Sequence, residues 1–116
     1  MLKGEKVKKV LLIKDDSIGE NSELGRKLIL GFLSTMKECN PQPQAIYLLN
    51  RGVLLATTNA AGVEVLKSLE AQGIAIFSCQ TCLEHFGLLE SLKVGQVGNA
   101  KATLNALLNA EDAVSL

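Results

Sequence analysis

Short apolar runs alternate along this chain with segments in which apolar residues recur every three or four positions. The short runs predict strands at residues 7–14, 45–49 and 74–78, a weak strand near 94–97 and a last one at 113–116. Strands that alternate with helices of this length are typical of parallel sheets joined by crossover helices. We therefore expect a three-layer α/β/α sandwich with a mainly parallel sheet of about five strands, formed by residues 1–116 as one domain.

The segment between the first two predicted strands has the period of an amphipathic helix. Its main apolar residues recur every four positions, with two apolar neighbours beside them: Leu24, Leu28, Phe32 and Met36, with Ile29 and Leu33. This spacing predicts that they form one buried face. Residues 59–72 predict a second helix, ended by Gly73, and shorter helices follow up to residue 86 and at 101–109.

Three polar loops follow the first three predicted strands, at residues 15–22, 50–59 and 79–82. Ligands of open α/β sheets bind outside the carboxyl ends of the strands. We therefore expect any chemistry of this protein where these three loops converge.

Composition excludes several classes of partner. Twelve basic and twelve acidic residues give a net charge of zero, so the chain lacks the positive surface that duplex DNA or an anionic membrane requires. Aromatic residues make up 3%, too few for a platform that stacks single-stranded bases. No apolar run approaches the roughly 20 residues of a membrane-spanning helix. Three cysteines, an odd number, do not form a secreted disulfide framework, so we expect a cytoplasmic location.

The most informative motif is the CxxC of Cys79 and Cys82, between the third strand and a short helix. Thr81 and Glu84 match a capping box, which predicts Thr81 as N-cap and Cys82 as the first helical residue. Free backbone N–H groups and the helix dipole favour a thiolate there, as in other CxxC motifs. A thiolate attacks sulfur electrophiles, so the motif suits thiol exchange or persulfide transfer.

Other interpretations of the motif remain open. The two cysteines could pack as small hydrophobic residues. A zinc site with His85 is disfavoured because no second ligand pair exists and Cys39 lies at the far end of the first helix, so no metal is predicted. A thioredoxin-like role is weakened because the motif follows the third strand. His85 could relay a proton to a thiolate or simply face solvent.

The loop after the second predicted strand begins with Asn50, Arg51 and Gly52. Its single cation could receive an anionic persulfide donor, and an ordinary turn with an exposed arginine fits equally well. The acidic first loop, which contains Gly19, lacks the ligand pattern of a calcium loop, and no glycine-rich nucleotide motif is present, so no cofactor is predicted. Asn50, Arg51, Gly52 and Gly19 are the candidate substrate-binding residues.

The order of these segments resembles the DsrE/DsrF/TusD-like sulfur-relay family, and most of all the DsrE-like C-terminal domain of the YedF selenium-metabolism proteins. The matching stretches cover nearly the whole chain: residues 16–19, 23–25 with Leu28 and Phe32, 49–53, 78–83, 86–88 and 94–99.

The resemblance implies a role for each cysteine of the motif. The family's sulfur-carrying cysteine ends the third strand eight residues before a glycine, a position that Cys79 and Gly87 fit. Cys82 matches the second cysteine of the YedF-like branch. The family also implies trimers or hexamers and a persulfide passed between carrier proteins. YedF proteins carry a TusA-like domain that this sequence lacks, so we expect TusA-like or other persulfide donors and acceptors as separate partners.

Two hypotheses follow. The first is a small sulfur-transfer protein in which Cys79 carries sulfane sulfur and Cys82 resolves or modulates it, with the link to selenium metabolism that the YedF resemblance implies. The alternative is a non-catalytic oligomeric binding module of the same fold. The first predicts that Cys79 alkylates fastest of the three cysteines and that oxidation links Cys79 to Cys82, leaving Cys39 free.

Overall fold

Within residues 9–116, five parallel strands form one sheet in the order β4-β3-β2-β1-β5. The computed structural model describes residues 9–116, so residues 7–8 of the first predicted strand lie outside the described part of the chain. The strands are β1 Lys9–Ile13, β2 Ala45–Leu48, β3 Ala75–Cys79, β4 Gln96–Gly98 and β5 Asp112–Ser115. All five lie close to the predicted positions, and the expected α/β class is confirmed.

In the described part of the chain, four α-helices and two short 3₁₀ helices connect the strands: α1 Glu23–Met36, η1 Asn50–Ala56, α2 Ala60–Ala71, α3 Gln80–His85, η2 Leu89–Ser91 and α4 Ala100–Asn109. The three longer helices begin where a side-chain oxygen of Ser22, Asn59 or Asn99 accepts a hydrogen bond from a backbone N–H of the first turn. Gly73 has a φ of 99° just after α2, so the predicted end of that helix is confirmed.

Helices cover both faces of the sheet. Because strand side chains alternate between faces, β1 contributes Leu11 and Ile13 to one core and Val10 to the other. The larger core contains buried residues of α1, α2 and η1, and the smaller one contains Ala106 and Leu107 of α4. The layers are therefore helix, sheet and helix, as the sequence predicts.

The buried face of α1 differs from the predicted one. Ile29 and Leu33 are fully buried, whereas Leu24 and Phe32 are 65% and 52% exposed. The helix packs through Gly25, where a Cβ would overlap the carbonyl oxygen of Glu20. This close backbone approach turns the Leu24 side of the helix outward, so the prediction that Leu24 and Phe32 are buried is wrong.

The second predicted loop contains a 3₁₀ helix that the sequence pattern did not predict. Seven of its residues form η1, in which Val53, Leu55 and Ala56 are fully buried. Burial of these apolar side chains against the main core draws the chain into a tight helical turn directly after β2. This turn places the functional candidates Asn50 and Arg51 over the carboxyl edge of the sheet.

Candidate functional site

The segments after β1, β2 and β3 lie side by side, because these three strands are neighbours in the sheet. The middle segment, η1, contacts both of the others. Its Asn50 backbone N–H donates to Cys82 Sγ of α3, and its Arg51 guanidinium donates to the Asp16 carboxylate after β1. The expected convergence of the three loops is therefore confirmed.

Cys79 ends β3 and is also the N-cap residue of α3, where it is half-buried. The helix begins at Gln80, so the predicted capping box with Thr81 as N-cap is wrong. The strand continues up to Cys79 and the helix starts at the next residue, which leaves no room for a separate cap. The Glu84 carboxylate does not cap the helix and instead accepts a hydrogen bond from the side-chain amide of Gln80 at 3.1 Å.

Cys82 is the third residue of α3, not the first as predicted. Its sulfur is half-buried and accepts a hydrogen bond from the Asn50 backbone N–H at 3.0 Å. Burial raises the pKa of the Cys82 thiol, the Asn50 N–H partly offsets this, and the neighbouring Cys79 raises the pKa further. Its surroundings therefore favour the protonated form of the Cys82 thiol.

The turn that presents this N–H has an unusual backbone. Asn50 has a φ of 52°, in the left-handed region that asparagine tolerates better than most residues. The turn is fixed by two hydrogen bonds, from Leu49 N–H to the Ile13 carbonyl at 2.9 Å and from Gly52 N–H to the Leu49 carbonyl at 2.8 Å. A Cβ on Gly52 would overlap the Ile13 carbonyl, so this glycine allows η1 to approach the end of β1.

Arg51 pairs with the acidic residues of the first loop. Its Nε lies 3.3 Å from Asp16 Oδ1 and its Nη2 lies 3.3 Å from Asp16 Oδ2, a bidentate arrangement. Asp15 Oδ1 lies 3.5 Å from the same Nε. Asp16 is buried, with a residue exposure of 6%. Arg51 therefore joins η1 to the loop after β1, and its predicted contact with an anionic substrate stays a prediction.

A groove of about 460 Å³ runs between η1 and α3, lined by Leu49, Asn50, Cys79, Thr81, Cys82, His85 and Phe86. Both cysteines of the motif face this space. Of the four candidate substrate-binding residues, Asn50 lines the groove, whereas Arg51, Gly52 and Gly19 lie outside its lining. Leu49 and Phe86, the apolar part of this lining, are not among the candidate residues that the sequence predicts.

His85 is exposed at the end of α3 and meets Phe86 edge to face, with ring centroids 5.2 Å apart. Cys39 lies apart from the groove, exposed after the end of α1. Across residues 9–116, no group of three or more His, Cys, Asp and Glu side chains is placed to hold a metal ion. Within the same range, no helix combines the length and apolar character needed to cross a membrane.

Comparisons with known proteins agree with this architecture. The sequence model of the DsrE/DsrF-like family matches residues 8–114. The crystal structure of the ychN protein from E. coli matches with a TM-score of 0.73 at 16% identity, covering 96% of this chain and 100% of that one. No curated protein sequence matches significantly. The finer likeness to the YedF branch stays a prediction. Because the family model matches nearly the whole chain, the protein belongs to the DsrE/DsrF-like family.

Proposed function

We propose that this protein is a sulfur-transfer protein that carries sulfane sulfur as a persulfide on Cys79. The observation that carries the proposal is the pair Cys79 and Cys82 on one groove at the carboxyl edge of the sheet, in a chain of the DsrE/DsrF-like family. The groove volume of about 460 Å³ leaves room for an additional sulfur atom on either thiol.

The surroundings of the two sulfurs favour Cys79 as the nucleophile. Cys82 accepts the Asn50 N–H bond and its pKa is raised by burial, so little of it is ionised near neutral pH. Loading would proceed by attack of the Cys79 thiolate on the outer sulfur of a persulfide or polysulfide donor. The sulfur–sulfur bond of the donor breaks, the donor leaves as a thiolate, and the transferred sulfur remains on Cys79.

A relay of this kind needs a donor and an acceptor. We propose TusA-like or other persulfide carrier proteins for both roles, in the cytoplasm, where thiols stay reduced. A link to selenium metabolism follows from the YedF resemblance and is tested by incubating the protein with selenide and a disulfide. A selenium adduct on Cys79 supports that link.

We also propose a homotrimer or homohexamer. Several large apolar side chains are exposed on the surface of a chain whose net charge is zero, among them Leu24, Phe32, Leu104, Leu108 and Val114. Covering these side chains with a second copy would remove apolar surface from water, which favours association. Light scattering coupled to size exclusion tests the proposal, and a species of only 12.4 kDa at micromolar concentration would contradict it.

The persulfide proposal is tested by incubating the reduced protein with a polysulfide donor and measuring intact and peptide masses. At the earliest times of incubation we expect a gain of one sulfur atom, located on Cys79 and absent from Cys79→Ser. Cys39→Ser is the matched control and should load as the unsubstituted protein does, because Cys39 lies away from the groove. Undiminished loading of Cys79→Ser would overturn the proposal, and absence of loading in the unsubstituted protein would favour the non-catalytic binding module.

A further inference from the structure

The loading step uses only Cys79, yet a second thiol lies one helical turn away on the same groove. Cys79 is the N-cap of α3 and Cys82 is its third residue. Residues three apart on a helix have Cβ atoms roughly 5–6 Å apart, whereas a disulfide needs roughly 3.5–4.5 Å. A small movement within the first turn of α3 would therefore close a bond between the two sulfurs.

The Cys82 sulfur is also held in place from the opposite side of the groove. The Asn50 N–H donates to it at 3.0 Å, across 32 positions of sequence. An N–H donor of this kind stabilises negative charge on the sulfur once its proton leaves. The donor is itself fixed, because the next residue, Arg51, is tied to the buried Asp16 carboxylate. The groove thus contains a second sulfur that is positioned and provided with an anion-stabilising donor.

We propose that Cys82 discharges the Cys79 persulfide and releases its outer sulfur as hydrosulfide, an inference that rests on the proposed function. The small fraction of Cys82 that is ionised, stabilised by the Asn50 N–H, attacks Cys79 Sγ, the inner sulfur, as a thiolate. The bond between the two cysteine sulfurs forms, and the bond from Cys79 Sγ to the outer sulfur breaks.

Atoms and electrons balance in this step without a further oxidant. The outer sulfur takes both electrons of the broken bond and leaves as hydrosulfide, while the two cysteines are oxidised to a disulfide. The Cys82 proton is transferred to water or buffer. A small dithiol then reduces the disulfide and regenerates both thiols. The substrate class is sulfane sulfur from persulfides or polysulfides, and the product is hydrosulfide.

The competing course is attack on the outer sulfur. That step moves the sulfane sulfur from Cys79 to Cys82, forms no disulfide and releases no hydrosulfide. The two courses are separated by what remains on the protein after a single loading.

The experiment loads the reduced protein with a polysulfide donor, removes the excess rapidly, and follows hydrosulfide with a trapping reagent in the absence of reductant. We expect one hydrosulfide for each loaded chain, formed together with a disulfide between Cys79 and Cys82. In Cys82→Ala the persulfide should persist on Cys79 and hydrosulfide release should fall to the level of the protein-free blank. Cys39→Ser is the matched control and should release hydrosulfide as the unsubstituted protein does.

The outcomes separate this inference from the function on which it rests. Absence of loading on Cys79 would overturn the proposed function and the inference together. Loading of Cys79 without hydrosulfide release, release by Cys82→Ala at the unsubstituted rate, or sulfane sulfur found on Cys82 would overturn the inference alone.

Discussion

The left-handed backbone of Asn50 should determine both the stability of η1 and the environment of the Cys82 sulfur. The left-handed conformation costs a residue with a Cβ about 1–2 kcal/mol of free energy. The cost is largest for β-branched residues and smallest for asparagine and glycine. We therefore expect Asn50→Val to lower the free energy of unfolding by about 1–2 kcal/mol. Asn50→Gly should change the free energy of unfolding by no more than about 0.5 kcal/mol. Glycine adopts the left-handed conformation without strain, and this gain offsets the larger conformational entropy that glycine gives the unfolded chain.

Equilibrium unfolding in urea measures the change in the free energy of unfolding. With a slope of about 2 kcal/mol per M, in the middle of the usual range for a small protein, the Val variant should unfold at a midpoint lower by roughly 0.5–1 M. The alkylation rate of Cys82 measures the change in the environment of its sulfur. The Asn50 N–H lowers the pKa of this thiol, so displacing the N–H raises the pKa and slows alkylation at neutral pH. The Gly variant keeps the N–H and should alkylate Cys82 as the unsubstituted protein does.

The two measurements together test the geometry of the turn. If Asn50→Val unfolds at the same midpoint and its Cys82 alkylates at an unchanged rate, then the left-handed turn does not present the N–H to the sulfur. If both variants slow alkylation equally, the asparagine side chain and not the backbone would be responsible.

Three further predictions concern the residues around the groove. The pKa of Cys82 is raised in the folded protein, so as the pH rises past the ordinary value of 9.0 the thiol ionises first in the unfolded state. The free energy of unfolding, measured in urea, should therefore fall above pH 9. It should fall less over the same pH interval in Cys82→Ala, which has no thiol at this position. A double-mutant cycle of Arg51→Met and Asp16→Asn should give a coupling of about 1 kcal/mol, whereas additive losses would mean that the pair contributes nothing. Ser78 buries a hydroxyl that has no hydrogen-bond partner among residues 9–116, so Ser78→Ala should leave the free energy of unfolding unchanged or raise it by about 1 kcal/mol, and a clear loss of stability would refute this.

Local sequence patterns determined most of the secondary structure of this protein. Apolar runs and helical periods depend on neighbouring residues, and they located the five strands and the helices α1, α2 and α4 to within a few positions. The same patterns placed Cys79 at the junction of β3 and α3, because a strand-to-helix change is visible in the order of residues alone. The start of α3 was misplaced by two residues, because a capping motif does not reveal how far the preceding strand extends.

Contacts between distant residues were decided only by the tertiary structure. Which face of α1 is buried depends on the fit of Gly25 against the preceding loop, and the helical form of η1 depends on the core into which Leu55 packs. The hydrogen bond from Asn50 to Cys82 exists because β2 and β3 are neighbours in the sheet. Strand order is set by the packing of all layers together, so no local pattern encodes it. The chemical environment of the Cys82 sulfur depends on this strand order and is therefore decided by the tertiary structure.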